Sequence, residues 1–141
     1  MPLDGSELAE SVLPTVVQVA KTLGAEVVLF RAFELAASAY YGSEDYLPNY
    51  DEMLRQLKVE VEGYLKEKAE GLAAAGIAKV SWVAFEGPSA EQIADYSSTH
   101  PDALLIMCTH GRSGVSRWVL GSVTEKVIRH SSDPVLVLHA A

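Results

Sequence analysis

The stretch from residue 103 to residue 126, ALLIMCTHGRSGVSRWVLGSVTEK, carries the pattern that decides the fold. It opens with a short apolar run over residues 103–109 that is typical of a buried strand, continues through a glycine-rich loop, and ends in a helical pattern that begins at Ser122. Glycine lets backbone amides approach an anion without a Cβ in the way, and a helix amino terminus presents amides with partial positive charge. We therefore predict that residues 108–122 hold the phosphates of a ligand.

Three more stretches have the length and the apolar, β-branched residues of buried strands: residues 26–33, 79–85 and 134–139. Strands that alternate one by one with helices pair in parallel through right-handed crossovers, which places helices on both faces of the sheet. The predicted fold class is therefore α/β, with an open, doubly wound, parallel five-stranded sheet of the Rossmann-like type. Its first strand is truncated, because only Pro2 and Leu3 precede the turn that begins at Asp4.

The helices between these strands are predicted from apolar residues at helical spacing. They cover residues 6–23 and 51–75, and two further helices start at Ser89 and Ser122. Pro14 lies inside the first helix and is expected to kink it, because proline removes a helical hydrogen bond. The spacing from Ser89 to Gln92 and from Ser122 to Glu125 matches the capping box, in which a serine side chain caps the helix.

Composition narrows the function classes. The 141 residues, 49% of them hydrophobic, suffice for one full core, so we predict a single domain over residues 1–141. The formal net charge of -8 opposes nucleic acid or an anionic membrane surface as a partner. A lone cysteine, Cys108, and the lack of a leader or a bilayer-spanning run favour the cytoplasm. Residues 110–130 hold four Lys or Arg residues against one Glu, which favours a small anion there.

Several common chemistries are not indicated by the sequence. The GxxxxGK[ST] and GxGxxG patterns are absent, so neither a P-loop hydrolase nor a dinucleotide dehydrogenase is favoured. His110 has no nucleophile and orienting acid nearby in the sequence, which favours a structural or ligand-lining role over catalysis. His100, His130 and His139 lack metal-ligand spacing, so no metal site is predicted. Enzymatic activity is left open, and any ATP hydrolysis is expected to be slow and incidental.

The glycine-rich loop resembles that of the universal stress protein family. ATP-binding members of this family carry a glycine, two residues, a second glycine, nine residues, and a third glycine followed by serine or threonine. This chain has Gly111, Gly121 and Ser122 at the corresponding places and Cys108 in place of the first glycine. The resemblance extends to the opening residues 2–6, to Gly87 and to residues 121–127, and so covers nearly the whole chain.

The resemblance implies an adenine nucleotide alpha-hydrolase-like fold that binds ATP in preference to AMP or ADP, with Mg²⁺ able to accompany the triphosphate. It implies that Asp4 bonds near the adenine or ribose, and that the Ala32 backbone flanks the base. Met107 and Cys108 would line the ribose. The residues it assigns to the phosphates are Gly111, Gly121, Ser122 and Val123, through their backbone amides, with Arg112, Ser113, Gly114 and Thr124 beside them. Cys108 adds a side chain where the family has none, which we expect to lower affinity or to shift the ligand.

A second hypothesis, from another class, is a nucleotide-free dimeric interaction module of the same fold. Val135–Leu138 is an apolar edge strand without charges, and it can pair with a second copy, as universal stress proteins commonly do. The long connection over residues 34–50 holds Tyr40, Tyr41, Tyr46 and Tyr50. Such a connection is either a lid or partner surface, or an insertion whose tyrosines pack locally.

Overall fold

The computed structural model describes residues 1–35, 49–109 and 120–139. The helices are α1 (Glu7–Glu10), α2 (Leu13–Leu23), α3 (Tyr50–Ala74), α4 (Ser89–Ser98) and α5 (Ser122–His130). The strands are β1 (Val27–Phe33), β2 (Val80–Glu86), β3 (Leu105–Cys108) and β4 (Val135–Leu138). All four strands predicted from apolar runs are confirmed, with ends that differ by one or two residues. Most of the tyrosine-rich connection lies outside the described residues.

The strands associate as two parallel pairs. β1 pairs with β2 in a register that runs from Val27 opposite Val80 to Phe33 opposite Glu86. β3 pairs with β4, with Leu105 opposite Val135. Within the described residues these are two separate two-stranded sheets, so the α/β class is confirmed and the continuous five-stranded sheet stays a prediction.

Alternate side chains of β1 enter two different apolar clusters. Leu29 packs in a cluster with Leu65 of α3, whereas Phe30 packs with Ile93 of α4 and Val127 of α5. Successive side chains of a strand point to opposite faces, so helices cover both faces of β1, as the doubly wound fold requires. The first cluster also contains Ile106 and thereby joins β3 to the same core: Leu3, Ala9, Val16, Ala20, Val27, Leu29, Phe33, Val61, Leu65, Ala69, Leu72, Ile77 and Ile106.

The helix predicted over residues 6–23 is two helices. α1 ends at Glu10 and α2 begins at Leu13, which places Pro14 in the first turn of α2. There the missing proline N–H removes no intrahelical bond, so a break before Pro14 replaces the expected kink. Gly24 caps the carboxyl end of α2, and its φ of 62° is the left-handed conformation that glycine adopts at little cost. Among the helices of the described ranges, none is long and apolar enough to cross a membrane.

The predicted capping boxes are wrong, although both helix starts are correct. Pro88 and Gly121 occupy the N-cap positions of α4 and α5, and neither helix has a side-chain cap hydrogen bond. Both N-cap residues have extended ψ angles, 126° and 146°, so the chain enters the helix one residue earlier than the boxes require. Ser89 and Ser122 are already helical and cannot act as caps.

The three residues before the first turn pair with β1 despite their short length. Pro2 forms a parallel bridge with Phe30, and the Leu3 N–H donates to the Phe30 carbonyl at 2.8 Å. The Met1 amino group donates to the Val28 carbonyl at 2.7 Å. Desolvation of this enclosed amine lowers its pKa from 8.0 to about 5. Residues 1–3 therefore pair with β1 through one bridge with flanking hydrogen bonds.

The Met1 amine gives the stability a specific pH dependence. Between pH 5 and 8 the unfolded amine binds a proton and the folded amine does not, so the free energy of unfolding should rise with pH in this window. The limiting slope is about 1.4 kcal/mol per pH unit. Urea unfolding of protein with a free Met1 amine, compared with protein acetylated at Met1, isolates this contribution. Equal slopes in the two preparations would contradict the prediction.

Candidate functional site

The turn that begins at Asp4 lies near the carboxyl ends of β1 and β3. Because Pro2 is opposite Phe30 in a parallel register, the same register places Asp4 beside Ala32. The Cys108 thiol donates to the Leu8 carbonyl at 3.5 Å, which brings the end of β3 against α1. The turn that begins at Asp4 and the end of β3 at Cys108 therefore lie at one edge of the strands, where open parallel sheets bind ligands.

The Asp4 carboxylate orders the first of these loops. Its Oδ1 atom accepts hydrogen bonds from the Ser6 N–H at 3.0 Å and from the Ser6 hydroxyl at 2.6 Å. The Ser6 hydroxyl in turn accepts from the Ala9 N–H at 3.1 Å and caps α1. The side chain of Asp4 is thus held in one position at the end of the bridged segment.

The amino terminus of α5 is tied directly to the end of β3. The Gly121 N–H donates to the Thr109 carbonyl at 2.7 Å, and the Thr124 hydroxyl donates to the Cys108 carbonyl at 3.0 Å. The first turn of a helix carries amides that no intrahelical carbonyl accepts, and α5 has no side-chain cap over its own. These two bonds fix the positive end of the α5 dipole beside the last residue of β3.

Some predicted site residues are available to a ligand and others are committed to the protein. Ser122 and Val123 are exposed in the first turn of α5. Thr124 is buried and its hydroxyl is used by Cys108, so only its backbone can face an anion. Met107 is buried in the cluster with Phe30, so its side chain serves the core. The predicted loop residues Gly111, Arg112, Ser113 and Gly114 lie outside the described residues, as does His110.

The side chain of Cys108 occupies a buried place between β3 and α1. The residue is 8% exposed, and its sulfur contacts the Leu8 carbonyl. The side chain that stands in place of the family's first glycine is therefore packed against α1. The backbone of Cys108 contributes the carbonyl that receives Thr124.

A comparison with known families decides the class of the protein. The sequence profile of the universal stress protein family matches residues 1–139. The chain belongs to the universal stress protein family. Universal stress protein MJ0577 of Methanocaldococcus jannaschii is 32% identical over 149 residues, covering 97% of this chain and 91% of the relative. Universal stress protein MJ0531 of the same organism is 28% identical over 138 residues, covering 98% of this chain and 79% of the relative.

Solved structures of the family share the fold. Universal stress protein UspA of Lactobacillus plantarum superposes with a TM-score of 0.81 at 22% identity, over 97% of this chain and 93% of that one. A universal stress protein solved in complex with cAMP superposes with a TM-score of 0.69 at 20% identity, over 100% of this chain and 94% of that one. These likenesses place the described helices and parallel strands in the α/β fold of universal stress proteins.

In this universal stress protein a charged network that the sequence analysis missed lies beside Asp4. The Arg31 guanidinium stacks on the Tyr64 ring at 4.9 Å, and a Cβ on Gly5 would lie 2.9 Å from its Nη1 atom. The Tyr64 hydroxyl donates to Glu10 at 2.9 Å, and burial together with this carboxylate raises the pKa of Tyr64. One signal was present in the sequence, since Arg31 is a charged residue within the otherwise apolar strand VVLFRAF.

Not all of the cationic residues expected over residues 110–130 lie at the amino terminus of α5. Arg129 lies in the last turn of α5, where its guanidinium pairs with Glu125 at 2.9 Å. Arg112 and Arg117 lie outside the described residues. Within the described part of the chain, the start of α5 contributes backbone amides and the positive end of the helix dipole.

The bond from Thr124 to Cys108 should contribute measurably to stability. Thr124→Val keeps the side-chain shape but leaves a buried carbonyl without its donor, so we expect a loss of about 1 to 3 kcal/mol in the free energy of unfolding. Thr22→Val is the matched control, because the Thr22 hydroxyl also donates to a carbonyl, that of Gln18, but is exposed. This control should change stability by less than about 0.5 kcal/mol. Equal effects of the two substitutions in urea unfolding would refute this role of Thr124.

Proposed function

We propose that residues 1–141 form one regulatory domain of the stress-response type that binds ATP at the carboxyl edge of β1 and β3. The observation that carries the proposal is the attachment of the α5 amino terminus to β3 by the bonds of Gly121 and Thr124. This attachment presents helix amides at the end of β3, at the same edge of the strands as the fixed carboxylate of Asp4. The helix amides suit the phosphates of an adenine nucleotide, and the Asp4 carboxylate suits its base or ribose.

The phosphate end of the site is proposed at the start of α5. A helix amino terminus binds phosphate through amides that lack intrahelical partners and through the positive end of the dipole. Gly121 brings no Cβ to this point, and Ser122 and Val123 are exposed there. In the proposal, Gly111, Arg112, Ser113 and Gly114 complete the cradle, and a divalent ion such as Mg²⁺ accompanies the triphosphate.

The base end is proposed between Asp4 and Ala32. In the parallel pairing of β1 with β2, the odd-numbered residues of β1 bond to β2, as the bond from the Val27 N–H to the Lys79 carbonyl shows. The backbone N–H and C=O of Ala32 therefore point to the opposite edge, where the register brings Asp4. Backbone groups at this edge can recognise the rim of adenine while Asp4 accepts from a base or ribose donor. Met107 and Cys108 contribute their backbone to the ribose in this arrangement.

The family supports an adenine nucleotide as the ligand class. The universal stress protein solved with cAMP binds a ligand with an adenine, a ribose and a phosphate. For this chain we favour ATP over ADP and AMP, because a longer phosphate chain uses more of the amides that follow β3. The proposed role is binding and regulation in the cytoplasm, and hydrolysis is not part of it.

Calorimetry with ATP tests the phosphate end. Gly121→Val should weaken ATP binding at least tenfold, because the valine side chain fills the approach to the helix amides. The φ of Gly121 is -58°, which valine adopts without strain, so the fold should persist. Gly71→Val on α3 is the matched control, since a Cβ there meets nothing within 4 Å.

Two results of this experiment would count against the proposal. Equal ATP affinity of Gly121→Val and the parent protein would remove the α5 amino terminus from the site. The second result combines two observations: ATP, ADP and AMP give no heat of binding, and the purified protein releases no adenine nucleotide when it is denatured. Together these would reject nucleotide binding and favour the nucleotide-free module.

A second function, self-association, is favoured by the surface of β4. Within the described residues β3 is the pairing partner of β4, and all four apolar residues of β4 are only half-buried. An apolar strand with an open edge is a template for pairing with a second copy. We propose a homodimer about a two-fold axis through Val135–Leu138, which is compatible with nucleotide binding and also with the nucleotide-free module.

Sedimentation at micromolar concentration tests the dimer. Val137→Lys should convert a dimer into a monomer, because a lysine on the paired edge places like charges opposite one another across the two-fold axis. Val59→Lys on α3 is the matched control, since Val59 is 65% exposed and lies far along the chain from β4. A parent protein that sediments as a monomer, or a Val137→Lys variant that remains dimeric, would contradict this interface.

A further inference from the structure

His139 lies just beyond the carboxyl end of β4, opposite Thr109 at the end of β3. The β3–β4 register pairs Cys108 with Leu138, and the bond from the Thr109 N–H to the Leu138 carbonyl, at 2.9 Å, continues this register by one residue. The side chains of the resulting pair are in contact, since the His139 Nδ1 atom lies 3.2 Å from the Thr109 hydroxyl oxygen. The imidazole is thus held at the edge where the nucleotide site is proposed.

The pair of Thr109 and His139 lies on the face of the strands that α5 covers. Side chains of a strand alternate between two faces, so Thr109 shares a face with Leu105 and Met107. These two residues belong to the apolar cluster that contains Val127 of α5. Paired residues of neighbouring strands point to the same face, so the side chain of His139 also lies on the α5 side.

Thr109 connects His139 to the start of α5. Its carbonyl accepts a hydrogen bond from the Gly121 N–H at 2.7 Å, and its hydroxyl oxygen lies 3.2 Å from the imidazole. One residue therefore contacts both the N-cap residue of α5 and His139. This places the imidazole beside the helix terminus to which the phosphates are assigned.

The two ring nitrogens of His139 have different surroundings. Nδ1 is bonded to Thr109, whereas Nε2 has no hydrogen-bond partner among the described residues. The side chain is exposed, so a ligand can reach it. A protonated imidazole donates from both nitrogens, and histidine is the side chain that changes its charge most readily between pH 5 and 8.

The charged groups around His139 do not satisfy it in advance. The ionisable residues of β3 and α5, the two elements beside it, are Cys108, Glu125, Lys126, Arg129 and His130. Glu125 is the acidic residue of this set, and the Arg129 guanidinium already pairs with its carboxylate at 2.9 Å. The Cys108 thiol faces α1 on the other side of β3. A positive charge on His139 is therefore available to an anionic ligand.

We propose, on the basis of the nucleotide site proposed above, that His139 is a further phosphate-binding residue of this site and that its protonation strengthens the binding of ATP. The imidazolium donates from Nδ1 to the Thr109 hydroxyl oxygen and from Nε2 to a phosphate oxygen. The neutral ring lacks the positive charge and attracts phosphate less. The affinity for ATP therefore falls as the pH rises and His139 loses its proton.

Calorimetry with ATP at about pH 6 and about pH 8 tests this role, because histidine changes its charge between these values. From the lower to the higher pH, the parent protein should lose about threefold to fivefold more affinity than His139→Asn, the size of one partly exposed ion pair. Asparagine retains a group that can bond to Thr109 but has no charge at either pH. Protonation of ATP itself is common to both proteins, so the comparison removes it.

Two further variants separate the charge of His139 from its structural contact. His139→Lys keeps a positive charge at both pH values, so it should bind ATP at the higher pH at least as tightly as the parent and should lack the additional loss. His130→Asn is the matched control, because His130 is also exposed and its Nδ1 also has a hydrogen-bond partner, but it lies in the last turn of α5. This control should keep the pH dependence of the parent. Thermal unfolding verifies that all variants are folded.

The reciprocal effect is measurable on the imidazole. If protonation favours ATP, bound ATP favours the protonated ring by the same factor. In an NMR titration, the midpoint reported by the His139 Cε1 proton should lie about 0.5 to 0.7 pH units higher with saturating ATP than without it, which corresponds to about threefold to fivefold in affinity. A role limited to holding Thr109 would not move this midpoint.

The outcomes distinguish this residue from the site as a whole. Absence of ATP binding by the parent protein at both pH values would reject the nucleotide site and the role of His139 together. ATP binding with the same pH dependence in the parent and in His139→Asn, or a midpoint that ATP leaves unchanged, would reject the role of His139 alone. Equal effects of His139→Asn and His130→Asn would assign the pH dependence to the overall charge of the protein and overturn the proposal.

Discussion

The buried hydrogen bond from the Thr124 hydroxyl to the Cys108 carbonyl is the constraint on which the candidate site depends. Its length is 3.0 Å, and both residues are less than a tenth exposed. With the bond from Gly121 to Thr109, it fixes where α5 begins relative to the end of β3. Val127, one turn farther along α5, is fully buried against Phe30 and Ile93, so the helix is anchored both at its start and along its inner face.

The Met1–Leu3 segment joins the core to the proposed site in this universal stress protein. Its hydrogen bonds to Val28 and Phe30 hold it on the edge of β1, and Leu3 is buried in the main core. The chain continues from Leu3 into Asp4, which belongs to the proposed nucleotide site. A short bridged segment thus connects the apolar core to the polar edge of the fold.

The polar edge combines fixed charges with backbone groups. Asp4 is held by Ser6, and Arg31 lies against Gly5 and over the ring of Tyr64. Lys68 pairs with Glu10 at 2.9 Å and completes this network. The cations near Asp4 are therefore engaged with protein groups. In the proposed site, recognition of phosphate is therefore assigned to the amides of α5, which a helix supplies at no cost in side-chain entropy.

The local sequence determined the elements of this fold. Apolar runs and helical spacing predicted every strand of the described residues and the starts of α4 and α5. This is because a buried face of a strand or a helix requires apolar residues at a regular spacing along the sequence. The glycine pattern from Gly111 to Ser122 predicted the family, which the match over residues 1–139 confirmed. The capping boxes failed because the same serine spacing fits both an N-cap and a first helical turn.

Only the tertiary structure decided which groups of these elements remain free. The hydroxyl of Thr124 and the side chain of Met107 looked available to a ligand in the sequence, but partners distant in the chain commit them to the protein interior. The position of Arg31 beside Gly5 likewise depends on contacts between residues that are distant in the chain. The spacing of apolar residues is a property of neighbouring residues. Hydrogen-bond partners are instead fixed by how distant segments pack, so no local pattern predicts them.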